Sequence, residues 1–164
     1  MIELIFITPL LFALILAAFE FSQMFIQAQR VSSLSRETAN AVFRDCSSFP
    51  NDQLENCVEL LREDINLGAK SLLKDFNTDR GRVVVSIYKW RKEHEEDKNS
   101  VVLAYPSIAD IASHINLDNV DQTILEDQGV IVVAEVFYRY IPSTIVGNLL
   151  NLKSIGQLYE ITIY

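Results

Sequence analysis

The chain has 164 residues, 49% hydrophobic and 22% charged, with a formal net charge of −8. That acidity excludes a nucleic-acid surface, which needs clustered Lys and Arg, and docking on anionic lipid through a basic patch; its plain reading is solubility. The length allows one domain with its own core beside an apolar tail of about twenty residues, and the mixed composition excludes low-complexity and collagen-like classes.

The first element is apolar. Glu3 and Glu20 bracket 16 uncharged residues, Leu4 to Phe19, with Pro9 inside the run. With Met1 and Ile2 before it and Phe21 and Met24–Ile26 after it, the segment reaches the roughly twenty residues that a spanning helix needs. A secretory signal is a poor fit. No basic stretch precedes the run, and Glu20-Phe21, not a small-x-small site, follows it. Pro9 has no N–H and leaves the carbonyl of Ile5 without its usual helical donor. In lipid such a group must be satisfied locally, so a kink or a locally melted turn is expected there, or simply a tolerated membrane-helix proline. Glu20 and Phe21 read as the membrane boundary.

Helical periodicity continues beyond the run. Phe21, Phe25, Ala28, Val31, Leu34, Thr38, Val42 and Cys46 recur every three or four residues and read as one apolar face. No Gly or Pro interrupts the chain between Pro9 and Pro50. The expectation is one helix of roughly 40 residues, about 60 Å long. Residues 1–29 form its membrane or filament half, and residues 30–164 form a globular head.

Asp52-x-x-Glu55 resembles a capping box. It opens a second helix over 52–66, running on toward Leu73, with an apolar stripe of Leu54, Cys57, Val58, Leu61 and Ile65. Cys46 ends the first helix and Cys57 lies in the first turns of the second. An antiparallel corner brings such a pair within bonding distance, and a disulfide places the head in an oxidising compartment. The alternative is two buried thiols in a cytosolic domain. Charge points to that alternative, since Arg30 and Arg36 just after the run put the head on the cytoplasmic side by the positive-inside rule.

Strands follow. Val83–Trp90 and Val101–Tyr105 flank "RKEHEEDKNS", a hairpin loop. Val130–Tyr140 is the strongest strand, with Val132, Ala134, Val136, Tyr138 and Tyr140 on one face and Glu135 and Arg139 on the other. Ile108, Ile111, Ala112 and Ile115 hint at a helical turn or two in an otherwise ambiguous 107–128. Pro142 stops the strand, Thr144–Leu150 reads as a short helix and Leu158–Tyr164 as a last strand. The class is α+β: a small antiparallel sheet packed on the long helix.

No catalytic, cofactor or metal site emerges. His94 among Glu93, Glu95 and Glu96 reads as a solvated loop rather than a metal site. His114 reads as a structural histidine. "NLDNVDQTILED" lacks the glycine and oxygen spacing of a calcium loop. No nucleophile elbow, zinc-helix or phosphate-loop motif is present, so the chain reads as a non-enzyme.

Glu3, five residues, Pro9, ten residues and then Glu20-Phe21 resembles the N-terminal signature of the TadE-like family, minor pilins (pseudopilins) of tight-adherence, or Tad, pilus systems. The segment "VIVVAEVFYRYIPSTIVGNLL" resembles the family's strand, Y-x-Y-x-P and short helix. Leu4, Thr8 and Ser22 depart from the usual aromatic, leucine and glycine. The resemblance implies a type IV pilin-like fold and an inner-membrane, single-pass chain with a periplasmic head that later enters a pilus at the cell surface. It implies as partners other major and minor Tad pilins, the inner-membrane assembly platform and, if a leader lies upstream, a prepilin peptidase. By similarity, two mature residues and a basic leader are missing before Met1; an unprocessed chain is the alternative.

The same resemblance gives Glu3 an assembly role. A carboxylate near the bilayer costs a few kcal/mol unless paired, and a free N-terminal amine within a helix bundle would pair it. On the residues alone, Glu3 sits at the headgroups, favoured by the positive end of the helix. For Pro9 the implied role is a point of adjustment as the helix leaves the membrane. The reading that competes with a filament subunit is a bitopic anchor presenting a periplasmic binding domain.

Overall fold

A computed structural model describes residues 2–50, 53–77, 79–89, 101–105, 113–115, 120, 122–149 and 156–164. Helix α1 runs from Ile2 to Cys46, 45 residues, with Pro9 inside it. At 1.5 Å per residue it is about 67 Å long. The helical path continues through Pro9.

Helix α2 spans Leu54–Leu72. Its stripe is as expected, with Leu54, Cys57 and Val58 buried and Leu61 and Ile65 packed on the same core. The capping box rests on Asp52, outside the described residues. A disulfide joins Cys46 to Cys57 across a Cα separation of 5.8 Å. The Nζ of Lys89 donates to the Phe49 carbonyl at 2.8 Å, tying the corner to the sheet.

Strands β1 (Gly81–Lys89), β2 (Val101–Tyr105), β3 (Val130–Arg139) and β4 (Gln157–Ile163) form one antiparallel sheet in the order β2-β1-β3-β4. Trp90, expected in the first strand, lies outside the described residues, as do His94 and the charged loop. Short helices α3 (Gln122–Gln128) and α4 (Ile145–Leu149) complete the fold. Of the turns hinted at over 108–115, residues 108–112 lie outside the described residues, and 113–115 are not helical. Helix α3 was not foreseen. It ends on Gly129, whose φ of +77° suits a left-handed cap donating to the Leu125 carbonyl at 2.8 Å.

Helices α1 and α2 cover one face of the sheet. Val31, Leu34 and Val42 meet Val83, Val85, Ile87, Val132 and Val136 there. Ser35 donates to the Ala134 carbonyl at 2.9 Å, fixing the height of α1 on β3. The opposite face is covered too. Tyr88, Ile131 and Val133 lie under Leu125, with Ile115 and Val120 packed beside them. Double cover explains why β3 is buried almost without a break.

The disulfide closes a short loop at the point where the rod ends. In the chain-entropy model such a bridge stabilises by about 3 kcal/mol. Replacing both Cys46 and Cys57 by serine is therefore expected to lower the melting temperature by roughly 6–12 °C. Superimposable melting curves for the two proteins would show that the bridge contributes nothing.

Candidate functional site: the rod and its anchor to the head

The free part of α1 is apolar all round. Ile7, Leu10, Leu11, Phe12, Leu14 and Ile15 are all exposed. The most apolar 18-residue window of the helix has a mean hydropathy of 1.8 and is only 6% buried, so this helix is long and apolar enough to cross a membrane. A core helix of a soluble domain would be mostly buried; this one stands clear of its own head.

Contact with the head begins abruptly at Glu20, which is 0% exposed. Its carboxylate receives three hydrogen bonds. The Tyr140 hydroxyl donates to Oε1 at 2.7 Å, the Ser143 N–H donates to Oε1 at 2.7 Å and the Thr144 N–H donates to Oε2 at 3.1 Å. Pro142 has no N–H to offer, so the carboxylate takes the two donors that follow it. Burial, then the bond to Glu20, push the Tyr140 hydroxyl well above the usual tyrosine range, so it remains a donor. A carboxylate buried beside three donors is stable where an unpaired one would be costly.

The second half of the tyrosine motif is used as well. Tyr138 shares the Tyr140 face of β3, and its hydroxyl donates to the Lys74 carbonyl just beyond α2, at 2.8 Å. Thr144 caps α4 by accepting from the Gly147 N–H at 3.1 Å. Gly147 itself lies against the anchor. A Cβ there would meet Cγ and Cδ of Glu20 at 2.7 and 2.8 Å and Cβ of Pro142 at 2.7 Å. The motif therefore closes a clasp around Glu20.

The clasp sets the rotation of the rod. Glu20, Gln27, Val31, Leu34, Ser35, Thr38 and Val42 face the head and are buried. Phe21 and Phe25, read as the upper end of the buried stripe, are 49% and 64% exposed. Correctly, the buried face between 20 and 27 is polar, and the aromatic side chains point away from the head. Periodicity alone could not show this, because it assumes that apolar residues turn inward. The sequence places Glu20 and Phe21 together as a boundary; the structure buries Glu20 in the head and leaves Phe21 half-exposed.

A second buried carboxylate lies on the far face of the sheet. Glu135, expected on the face opposite Val132 and Val136, is 0% exposed. It accepts from the Ser113 hydroxyl, from the His114 N–H at 3.0 Å and from the Tyr159 hydroxyl at 2.8 Å. Burial and this carboxylate push the Tyr159 hydroxyl up, keeping it protonated. The His114 ring packs on Phe137 and Tyr159, with centroids 5.3 and 4.9 Å away. That is the structural histidine the sequence implied. Glu135 thus clips segment 113–115 onto the sheet.

Of the remaining site residues, Pro9 is exposed on the apolar rod. Glu3 belongs to the helical backbone, but its side chain lies outside the described ones. Cys46 and Cys57 are bonded at the opposite end of α1.

Gly147 gives a direct handle on the clasp. Gly147→Ala is expected to force Glu20 or Pro142 to move and to cost about 1–3 kcal/mol, read as a lower midpoint in denaturant. An unchanged midpoint would mean that Glu20 is not held tightly there.

No curated protein and no solved structure matches the chain. Residues 1–40 match the family model described as TadE-like protein. Over that stretch the chain is similar to a family of Tad pilus-associated, pilin-like proteins whose role is structural rather than enzymatic.

Proposed function

We propose that this chain is a minor pilin, or pseudopilin, that enters a Tad-type pilus or its priming or tip complex through the N-terminal half of α1 and so supports adhesion or secretion. The observation that carries the reading is the exposed apolar rod over 7–19, continued by Phe21 and Phe25 on the side away from the head. The rod buries little of itself, so its large apolar area gains free energy only in lipid or among neighbouring helices. In the membrane it is a single-pass anchor with the head in the periplasm. The Cys46–Cys57 disulfide favours that side over the cytoplasm. In the filament it packs beside other Tad pilins, delivered by the inner-membrane platform.

Glu3 is the residue assigned to assembly. A carboxylate in the first turn of an apolar helix is costly in lipid unless it is paired. It gains a partner when an N-terminal amine in a bundle comes beside it. Pro9 lacks one N–H and supplies a weak turn where the helix adjusts during extraction. Glu20 and Phe21 mark the level at which the membrane ends.

Two variants separate this reading from a bitopic anchor with no filament role. Glu3→Ala is expected to stay in the inner membrane and to stop co-purifying with the other pilins. Phe21→Ser/Phe25→Ser is expected to keep the head's melting temperature while weakening the same association. Normal co-purification and normal pili in both strains would remove the filament reading and leave the anchor.

A further inference from the structure

A cavity of about 300 Å³ opens beside the Glu20 clasp, between α1, the turn after α2 and the segment following β3. Lys74, Asp75, Arg80, Tyr138, Ser143 and Gln27 line it. Gln27 is 7% exposed, and its Oε1 is buried without a hydrogen-bond partner. Burying an unpaired amide oxygen costs free energy. A half-turn of the terminal amide presents either its donor or its acceptor to a ligand.

The charges around the cavity are mixed. Arg80 pairs with Asp75 at 2.8 Å, which uses only part of a guanidinium that carries five N–H donors. Lys74 brings a second cation. Burial raises the Tyr138 hydroxyl's pKa; the charges of Arg80 and Arg30 pull it down and that of Asp75 pushes it up. Two cations thus stand against the Asp75 carboxylate, with the Glu20 carboxylate held behind Tyr140 and Ser143.

The height of the cavity is also informative. Gln23 and Gln27 line it, and they lie four and eight residues beyond Phe19, or about 6–12 Å along the helix. The headgroup layer on each side of a bilayer is roughly 5–8 Å thick. The Gln23 end of the cavity lies within that layer, where phosphate esters stand next to ammonium groups, and Gln27 lies just above it.

We propose that this cavity binds the headgroup of a zwitterionic phospholipid while the chain resides in the membrane. Lys74 and Arg80 take the phosphate, Asp75 takes the ammonium, and the Gln27 amide completes the shell. Such a site fits the acidic composition. It reads one headgroup in a small mixed-charge cavity and needs no broad basic patch. It would hold the head at a fixed height and rotation on the bilayer before extraction. The inference rests on the reading of residues 4–19 as a membrane span.

The test uses the full chain, with glutamine labelled by nitrogen-15, in maltoside micelles free of phosphate. The Gln27 side-chain amide is assigned from its loss in Gln27→Leu. Short-chain phosphatidylethanolamine is expected to shift that amide saturably, and Lys74→Ala and Arg80→Ala are each expected to weaken binding by about tenfold. Lys74 is exposed and Arg80 half-buried, and unchanged melting temperatures confirm that the fold is kept. No shift at Gln27 would overturn the site. An equal shift with diacylglycerol of the same chain length, or with inorganic phosphate, would overturn the headgroup assignment. Retention of the wild-type chain in membranes after alkaline washing reports the span separately. A retained chain with a silent Gln27 removes the site alone; a chain that washes off removes the span reading, whatever the titration shows.

Discussion

The buried carboxylate of Glu20 is the interaction on which the rest of the molecule depends. It sits where an all-apolar rod becomes a helix with one face on a sheet. Tyr140, Ser143 and Thr144 supply its donors from more than a hundred residues away. Without that clasp, the stretch between residues 20 and 30 would have little to hold it to the head. Its inward residues are glutamine and glutamate, and they contribute little by apolar burial. Polar anchoring serves here because directional hydrogen bonds to one carboxylate match in only one rotation, whereas an apolar seam would tolerate several.

That fixed rotation has consequences on both sides of the helix. Inward, Gln23 and Gln27 end up along a charged cavity. Outward, Phe21 and Phe25 extend the apolar surface of the rod beyond the length of the uncharged run. Lower down, Ser35 and the valine and leucine residues lock α1 onto β3, and the disulfide closes the far end. The rod is therefore gripped along its second half and free along its first. Such a division suits a subunit that trades lipid for helical neighbours while its head keeps its shape.

Much of this was legible in the sequence, and what was not has a physical explanation. The uncharged run, the alternating valines of β1 and β3 and the cysteine spacing depend on local patterns, and each element lies within a few residues of its expected bounds. Glu20 read as a boundary because an acid at the end of an apolar run is usually solvated. Only its distant donors reveal a buried role. Periodicity assigns Phe21 and Phe25 to the packed face on the same assumption that apolar means inward, which fails on a helix whose free half is apolar all round. Alternation gives the face of Glu135 but not its burial, because nothing in β3 itself announces that segment 113–115 and Tyr159 cover it. Helix α3 is short and compositionally mixed, so no periodicity marks it. The match to TadE-like proteins ends at residue 40, inside α1; the partners of Glu20 lie far beyond it.

The coupling between Glu20 and Tyr140 tests this account most directly. A double-mutant cycle of Glu20→Ala and Tyr140→Phe, followed by denaturant unfolding of the full chain in detergent, isolates the bond between them. A coupling of about 1–3 kcal/mol is the predicted result for a buried, charge-assisted pair. Additive effects, within about 0.5 kcal/mol, would contradict it: the rod would then be held by something other than its buried acid.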